Sequence, residues 1–181
     1  MSFGLARESD DISHAIEEAE YNGAIMFAAA SNYGGNTGRA FPARSEKILC
    51  IHASDGNGNK SGMDPSPRMG RENFSTLGVA IPSVTEKGIY LSGTSYSTPV
   101  AVGIAANILR LVQNLADTNK LAESHRMKAF RRTGMKNILL TMSNKRDGYH
   151  YIAPWWGMWN NLSTKEQIAW KIEEALNGDM Y

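Results

Sequence analysis

Several things are scarce in this sequence, and each shortage excludes a class of protein. One cysteine, Cys50, stands in 181 residues, so no intrachain disulfide can form and the disulfide-stapled secreted class is excluded. No apolar run approaches the roughly 20 residues needed to span a bilayer. Neither sign of charge is in excess. With 19 basic and 18 acidic residues the net charge is +1, which leaves no electrostatic case for nucleic acid or a membrane surface as partner. The opening Met1-Ser2-Phe3-Gly4-Leu5-Ala6-Arg7 has no basic-then-apolar signal design, which makes a cytoplasmic location the expectation. There is no internal repeat and no low-complexity segment. Gly34-Gly35-Asn36-Thr37-Gly38 is not followed by Gly-Lys-Ser/Thr, so it reads as a plain loop and not as a phosphate cradle.

What is present is ordinary for a soluble globular chain, with 42% hydrophobic and 20% charged residues. The length suits one domain or a large part of one, with a core that needs no staples. Ile12, Ala15, Ile16 and Ala19 recur at helical spacing behind the capping oxygens of Ser9, Asp10 and Asp11. Tyr21-Asn22-Gly23 stops that helix. The short apolar runs 24–29 and 47–53 read as strands buried on both faces, the pattern of a parallel sheet. Residues 55–70 form an exposed loop rich in Gly, Asn, Ser and Pro, and 73–81 is another extended segment. A long, largely apolar helix is expected over 94–115, then a helix near 123–133 and a strand over 137–142. Ser163-Thr164-Lys165-Glu166 is a capping box for a last helix, with Ile168, Ile172 and Leu176 on its apolar side and Gly178 past its end. The class is α/β.

The stretch Leu91-Ser92-Gly93-Thr94-Ser95-Tyr96-Ser97-Thr98-Pro99 carries the most chemical information. A glycine precedes Ser95, small residues surround it, and it opens the most hydrophobic helix. A serine there lies beside free backbone N–H groups and the positive end of the helix dipole, which favour negative charge on it or on an attached acyl oxygen. If Ser95 caps the helix, Pro99 removes one helix bond beside it, which is tolerable only at a helix start.

Gly93-Thr94-Ser95-Tyr96-Ser97-Thr98-Pro99, with Ala101 and Gly103 beyond, closely resembles the G-T-S-x-[AS]-[ST]-P block of subtilisin-like serine peptidases (peptidase S8). Val100 departs from the family, where a histidine usually follows the proline. Ala28-Ala29-Ala30-Ser31-Asn32-Tyr33-Gly34 resembles the family's A-A-A-G-N-x-G. By that match Asn32 is the side-chain donor of the oxyanion hole, and Ser31 replaces a glycine. Met1-Ser2-Phe3-Gly4 resembles the M-S-[LF]-G strand that pairs with substrate backbone. The resemblance therefore implies Ser95 as nucleophile. It also implies a substrate cleft between Ser2, Phe3 and Gly4 on one side and Ala29, Ala30 and Ser31 on the other. Phe41-Pro42-Ala43 and Asn73-Phe74-Ser75-Thr76 fit further family segments in order. The match covers about 1–115, with a less typical extension over 116–181. The tail from Asp147 to Trp156 is similar to the ends of intracellular fungal members.

The resemblance implies a three-layer fold with a mostly parallel sheet, incomplete at the N-terminus, and serine endopeptidase activity on peptide or protein substrates without a cofactor. The family's D-[ST]-G aspartate and H-G-[TS]-x-V-A histidine blocks precede M-S-[LF]-G, and neither occurs in these 181 residues. His14, His52, His125 and His150 lie in no family-like context and read as structural or surface residues. Without its base Ser95 is an ordinary hydroxyl, so the alternative is a non-catalytic peptide-binding fragment. Oligomeric state is open. Asp55, Asn57, Asn59 and Asp64 hint at a calcium loop, but Lys60 stands where such a loop needs glycine, and a solvent loop is expected with no metal. The basic group Arg126, Lys128, Arg131, Arg132 and Lys136 reads as a solvated helix face. Trp155, Trp156, Trp159 and Trp170 read as packing. Asn73-Phe74-Ser75 and Asn161-Leu162-Ser163 match the glycosylation pattern.

Overall fold

The computed structural model describes residues 1–157 and 163–178. Helix α1 (Asp10–Tyr21) opens with Asp10 and Asp11 in its first turn, where the dipole favours them. Ser9 is its cap residue, but the Ser9 side chain makes no capping bond. Gly23, at φ 81, turns the chain out of the helix. Strands β1 (Met26–Ala29), β2 (Ile48–Ser54) and β3 (Phe74–Leu77) follow, and every residue of β2 is buried. The expected extended segment 73–81 divides into β3 and the first strand of a small hairpin, β4 (Ile81–Pro82) with β5 (Tyr90–Leu91). The long helix α2 spans Thr94–Asp117.

Beyond α2 the expected elements need correcting. The helix placed near 123–133 is two helices, α3 (Glu123–Ala129) and α4 (Arg132–Thr141). The strand expected over 137–142 is the second half of α4. Met135, Ile138, Leu139 and Met142 recur at helical spacing, and all four are buried. Packing on one helical face overrode the apolar run that suggested a strand. The hairpin β6 (Ser143–Arg146) and β7 (Tyr149–Ile152) then turns at Asp147-Gly148, both at positive φ. A short α5 (Pro154–Gly157) precedes α6 (Lys165–Asn177). The α6 capping box lies one residue later than expected, between Thr164 and Gln167. Trp159 and Asn161-Leu162 lie outside the described residues, as does the Trp156 side chain. Trp155 and Trp170 are 57% and 60% exposed, and Trp155 packs edge-on against Tyr151 with ring centroids 6.2 Å apart.

The main sheet has the order β1-β2-β3-β7-β6. Its first four strands are parallel, and β6 joins β7 antiparallel at one edge. Helix α2 lies across β1, β2 and β3, with α4 and α6 beside it. Phe27, Leu49, Ile51 and Phe74 from the sheet meet Ala101, Ile108, Val112 and Leu115 from α2 in one cluster. Each such large apolar side chain contributes about 1.5–3 kcal/mol by burial. Ile16 of α1 packs with Ala28, Ile48 and Cys50 in a second cluster. Helices, sheet and α1 thus make three layers. Against the expectation of no apolar span, α2 is long and apolar enough to cross a membrane by length and composition. One face of it, with Ala101, Ile108, Val112 and Leu115, is buried against the sheet, while Val100 and Val102 are exposed.

Candidate active site

The site forms where the C-terminal ends of β1, β2 and β3 meet the start of α2. Helix α2 begins at Thr94, with Gly93 as its cap residue, so Ser95 is the second helical residue and not the cap. The physical consequence is favourable. At that position the Ser95 N–H has no intrahelical acceptor and points out of the helix end with the dipole behind it. The first turn is held from within. Ser97 Oγ and Thr98 Oγ1 donate to the Thr94 carbonyl at 3.0 and 2.7 Å. Pro99, whose missing N–H breaks the helix ladder, sits just beyond.

Asn32 follows β1 by three residues and is brought against this helix start. Its Oδ1 accepts from Thr94 N at 2.9 Å and from Thr94 Oγ1 at 3.0 Å. Two donors on the oxygen settle which end of the amide is which, and they leave the Nδ2 donors facing away from Thr94. Gly93 lets this happen. At φ 156 it is in a backbone region that side chains rarely enter, and a Cβ there would stand 3.1 Å from Asn32 Nδ2. Gly78, just past β3, is the residue that sequence reasoning missed. Its N–H and carbonyl bond Ser54 O and Gly93 N at 2.9 and 2.8 Å. A Cβ on Gly78 would lie 2.9 Å from both Ala53 Cβ and Ser97 Cβ. Its signal was a lone glycine at a strand end, which marks close backbone approach.

The segment Met1–Gly4 lies along β1. Ala29 N donates to Met1 O at 3.0 Å, and Leu5 and Phe41 exchange two backbone bonds. Ser2, Phe3 and Gly4 are exposed. Ser95 Oγ donates to the Ser2 carbonyl at 3.1 Å, which joins the two expected halves of the site. Ala29 and Ala30 are buried, and the Ala30 N–H and carbonyl are already bonded to Ile51 O and Ala40 N. Their side chains therefore back the surface and do not project from it. Ser31 is 8% exposed and adopts φ 142, where glycine is at ease and serine is strained.

None of the four histidines hydrogen-bonds Ser95. His14 is exposed on α1, and His125 Nε2 is 3.0 Å from Asn177 Oδ1. His150 lies on β7 beside Phe74. His52 is fully buried on β2, with its ring centroid 4.9 Å from that of Tyr149. Burial pulls its pKa down to about 3, so it is neutral at pH 7. Burial also pushes the Cys50 thiol up to about 12. No three His, Cys, Asp or Glu side chains gather as metal ligands among the described residues. The Asp55 carboxylate is turned inward onto Asn57 N, Asn59 N and Asn59 Nδ2. Asp64 accepts from Ala53 N and Ser61 Oγ. Asn73, which matched the glycosylation pattern, is 4% exposed and bonded to Arg39 and Arg68, so it offers no accessible acceptor.

A helix-start serine beside an oriented asparagine matches the order of blocks in the sequence, and the comparison with families agrees. The subtilase family model matches residues 1–151. The chain belongs to the subtilase family. A thermostable alkaline protease of Halalkalibacterium halodurans is 32% identical over 117 residues, covering 59% of this chain and 29% of its own. Thermitase of Thermoactinomyces vulgaris is 30% identical over 138 residues, covering 65% of this chain and 45% of thermitase. The subtilase-type proteinase RRT12 of Saccharomyces cerevisiae is 32% identical over 117 residues, covering 60% of this chain and 23% of its own. The chain thus spans less than half the length of these curated relatives. Among solved structures, the prenylagaramide maturation protease PagA superposes with a TM-score of 0.62 at 21% identity, over 97% of this chain and 60% of its own. The PatG macrocyclase, solved with a peptide, superposes at 0.60 and 17% identity, over 98% of this chain and 51% of its own. These two show the shared subtilase fold.

Proposed function

We propose that this subtilase chain carries the nucleophile and oxyanion hole of a serine endopeptidase acting on peptide or protein substrates. The observation that supports this most is the double anchoring of Asn32 Oδ1 on Thr94, which fixes that amide at the helix start one residue before Ser95. Ser95 Oγ attacks the scissile carbonyl carbon and gives its proton to a base. The carbonyl oxygen becomes an oxyanion, held by Ser95 N–H and Asn32 Nδ2–H. When the carbon–nitrogen bond breaks, the base returns that proton to the leaving amine. Water then hydrolyses the acyl-serine by the same route in reverse.

The base is a histidine oriented by an aspartate, both supplied from outside these 181 residues. Ser95 Oγ, now donating to the Ser2 carbonyl, turns to that base when it arrives. An apolar groove of about 600 Å³ supports this reading. It runs beside β1, where Ile12 and Ile16 of α1 face Val102 and Leu109 of α2. An apolar hollow of that size next to the nucleophile's helix is suited to a further packed segment.

A second reading rests on the Ser95–Ser2 bond: without a base the same cleft holds a peptide and does not cut it. Labelling with a fluorophosphonate separates the two. A full-length protein carrying this segment should be labelled, and Ser95→Ala should abolish labelling. Asn32→Ala should slow it by about 10²–10³, the scale seen when subtilisin loses its oxyanion amide. A folded full-length protein that is not labelled would leave only the binding reading.

A further inference from the structure

Arg39 is the one buried arginine among the described residues, at 9% exposure, and it has no carboxylate partner. Its Nη2 donates to two neutral acceptors, Glu72 O at 2.9 Å and Asn73 Oδ1 at 2.7 Å. Its Nε has no partner. The more exposed Arg71, Arg126 and Arg132 do have carboxylates, in Glu46, Glu123 and Glu72. This reverses the usual order, because buried charges are the ones that need a counter-charge. Burial pulls the Arg39 pKa down; Arg71 and Arg68 push the same way, while Cys50 and the Glu72 carboxylate, which is itself paired with Arg132, act against them.

Arg39 lines a pocket of about 420 Å³ with Arg44, Arg68 and Ser66, walled by Pro65 and Pro67. No carboxylate is among its described lining residues. Arg44 reaches Glu8 only at 3.8 Å. The pocket is held in shape by its own bonds. Ser66 Oγ donates to Gly35 O at 3.0 Å, and Tyr149 OH donates to Pro65 O at 2.9 Å. Asn73 ties the segment together, accepting from Arg68 N at 2.7 Å and donating to Arg68 O at 3.1 Å.

We propose that this pocket binds a small phosphate-bearing anion. Guanidinium groups present planar pairs of donors that match phosphate oxygens. Three arginines, Arg39, Arg44 and Arg68, are among the lining residues of a space within the range of about 300–1,000 Å³ typical of small-molecule sites. Arg44 has Glu8, and the nearly two negative charges of a phosphate monoester near neutral pH match the two remaining guanidiniums, where a single peptide carboxylate would match one. The site shares no residue with Ser95, Asn32 or the substrate cleft, so this proposal and the peptidase reading stand or fall separately.

Calorimetric titration of the chain with inorganic phosphate and with glycerol phosphate, at low ionic strength and matched chloride, tests it. Saturable binding at one site per chain is expected. Arg68 is exposed, so Arg68→Ala should fold as the parent does and weaken both ligands about tenfold or more, the loss of a charge-assisted contact. Arg39→Met removes the buried charge, and phosphate should no longer raise the melting temperature of that variant. Absence of saturable binding, or binding unchanged in Arg68→Ala, would overturn the proposal. So would an acidic peptide that displaces phosphate and binds more tightly, because the pocket would then be a protein-docking site.

Discussion

Replacing Ser31 with glycine should stabilise this chain, although it removes a side chain and a hydrogen bond. Ser31 is held at φ 142, next to the anchored Asn32. A non-glycine residue in that region costs about 1–3 kcal/mol. Two terms oppose the relief. Glycine adds freedom to the unfolded chain, worth about 0.4–1 kcal/mol against folding. The Tyr33 N–H also loses its acceptor, Ser31 Oγ, but that contact is long at 3.3 Å and water can replace it beside the exposed Tyr33. The balance favours Ser31→Gly by about 1 kcal/mol. For a domain of this size that corresponds to about 2–4 °C in melting temperature. Urea unfolding should show a higher midpoint with an unchanged slope, since little buried surface changes. Ser31→Ala is the control. It keeps the strained backbone and loses the hydroxyl, so its midpoint should lie at or below that of the parent. If Ser31→Gly unfolds at lower urea than the parent, or Ser31→Ala gains as much as Ser31→Gly, the backbone at Ser31 is not strained and the reasoning fails.

Two other predictions concern the frame of the site and the buried histidine. Gly78→Ala places a Cβ 2.9 Å from Ala53 and Ser97 and 3.0 Å from the Gly93 carbonyl. It should cost about 1–3 kcal/mol as overpacking and part β3 from α2, seen as a lower melting temperature together with lost fluorophosphonate labelling in the full-length protein. His52 is held neutral with its pKa pulled down to about 3, while an unfolded histidine titrates near 6.5. Its contribution is therefore complete above about pH 6.5, and stability falls by up to about 1.4 kcal/mol per pH unit as the unfolded state takes up the proton. His52→Leu should flatten the stability profile between about pH 6.5 and 5, above the range of ordinary carboxylates. An undiminished slope in His52→Leu would assign the acid sensitivity elsewhere.

The motifs around Ser95, Asn32 and Met1 were readable because each is local. A serine on a helix start, an amide after a strand and an exposed segment beside β1 each need particular residue types in consecutive positions. Elements with strong periodicity or stops, such as α1, β1, β2, α2 and α6, were readable for the same reason. The strand expected over 137–142 was not there, because Ile138-Leu139-Leu140 is apolar in either conformation. The choice between them came from the contact of α4 with α6, where Asn137 Nδ2 donates to Gly178 O at 3.0 Å. The β6–β7 hairpin was signalled by Asp147-Gly148 alone, and Gly78 by nothing but its own identity.

The sequence by itself determined the family and the α/β class, and it singled out Ser95 and Asn32 as candidates, because these depend on residue types at short spacing. The tertiary structure alone decided how the pieces act on one another. It brought Thr94 to Asn32 across 62 positions, so that two donors orient an amide that no local rule could aim. It closed Gly78 between Ala53 and Ser97. It also buried Arg39 with its Nη2 on two neutral acceptors, Glu72 O and Asn73 Oδ1, which in the sequence is one arginine among many. Such effects depend on distances between segments far apart in the chain, and only the packed fold sets those distances.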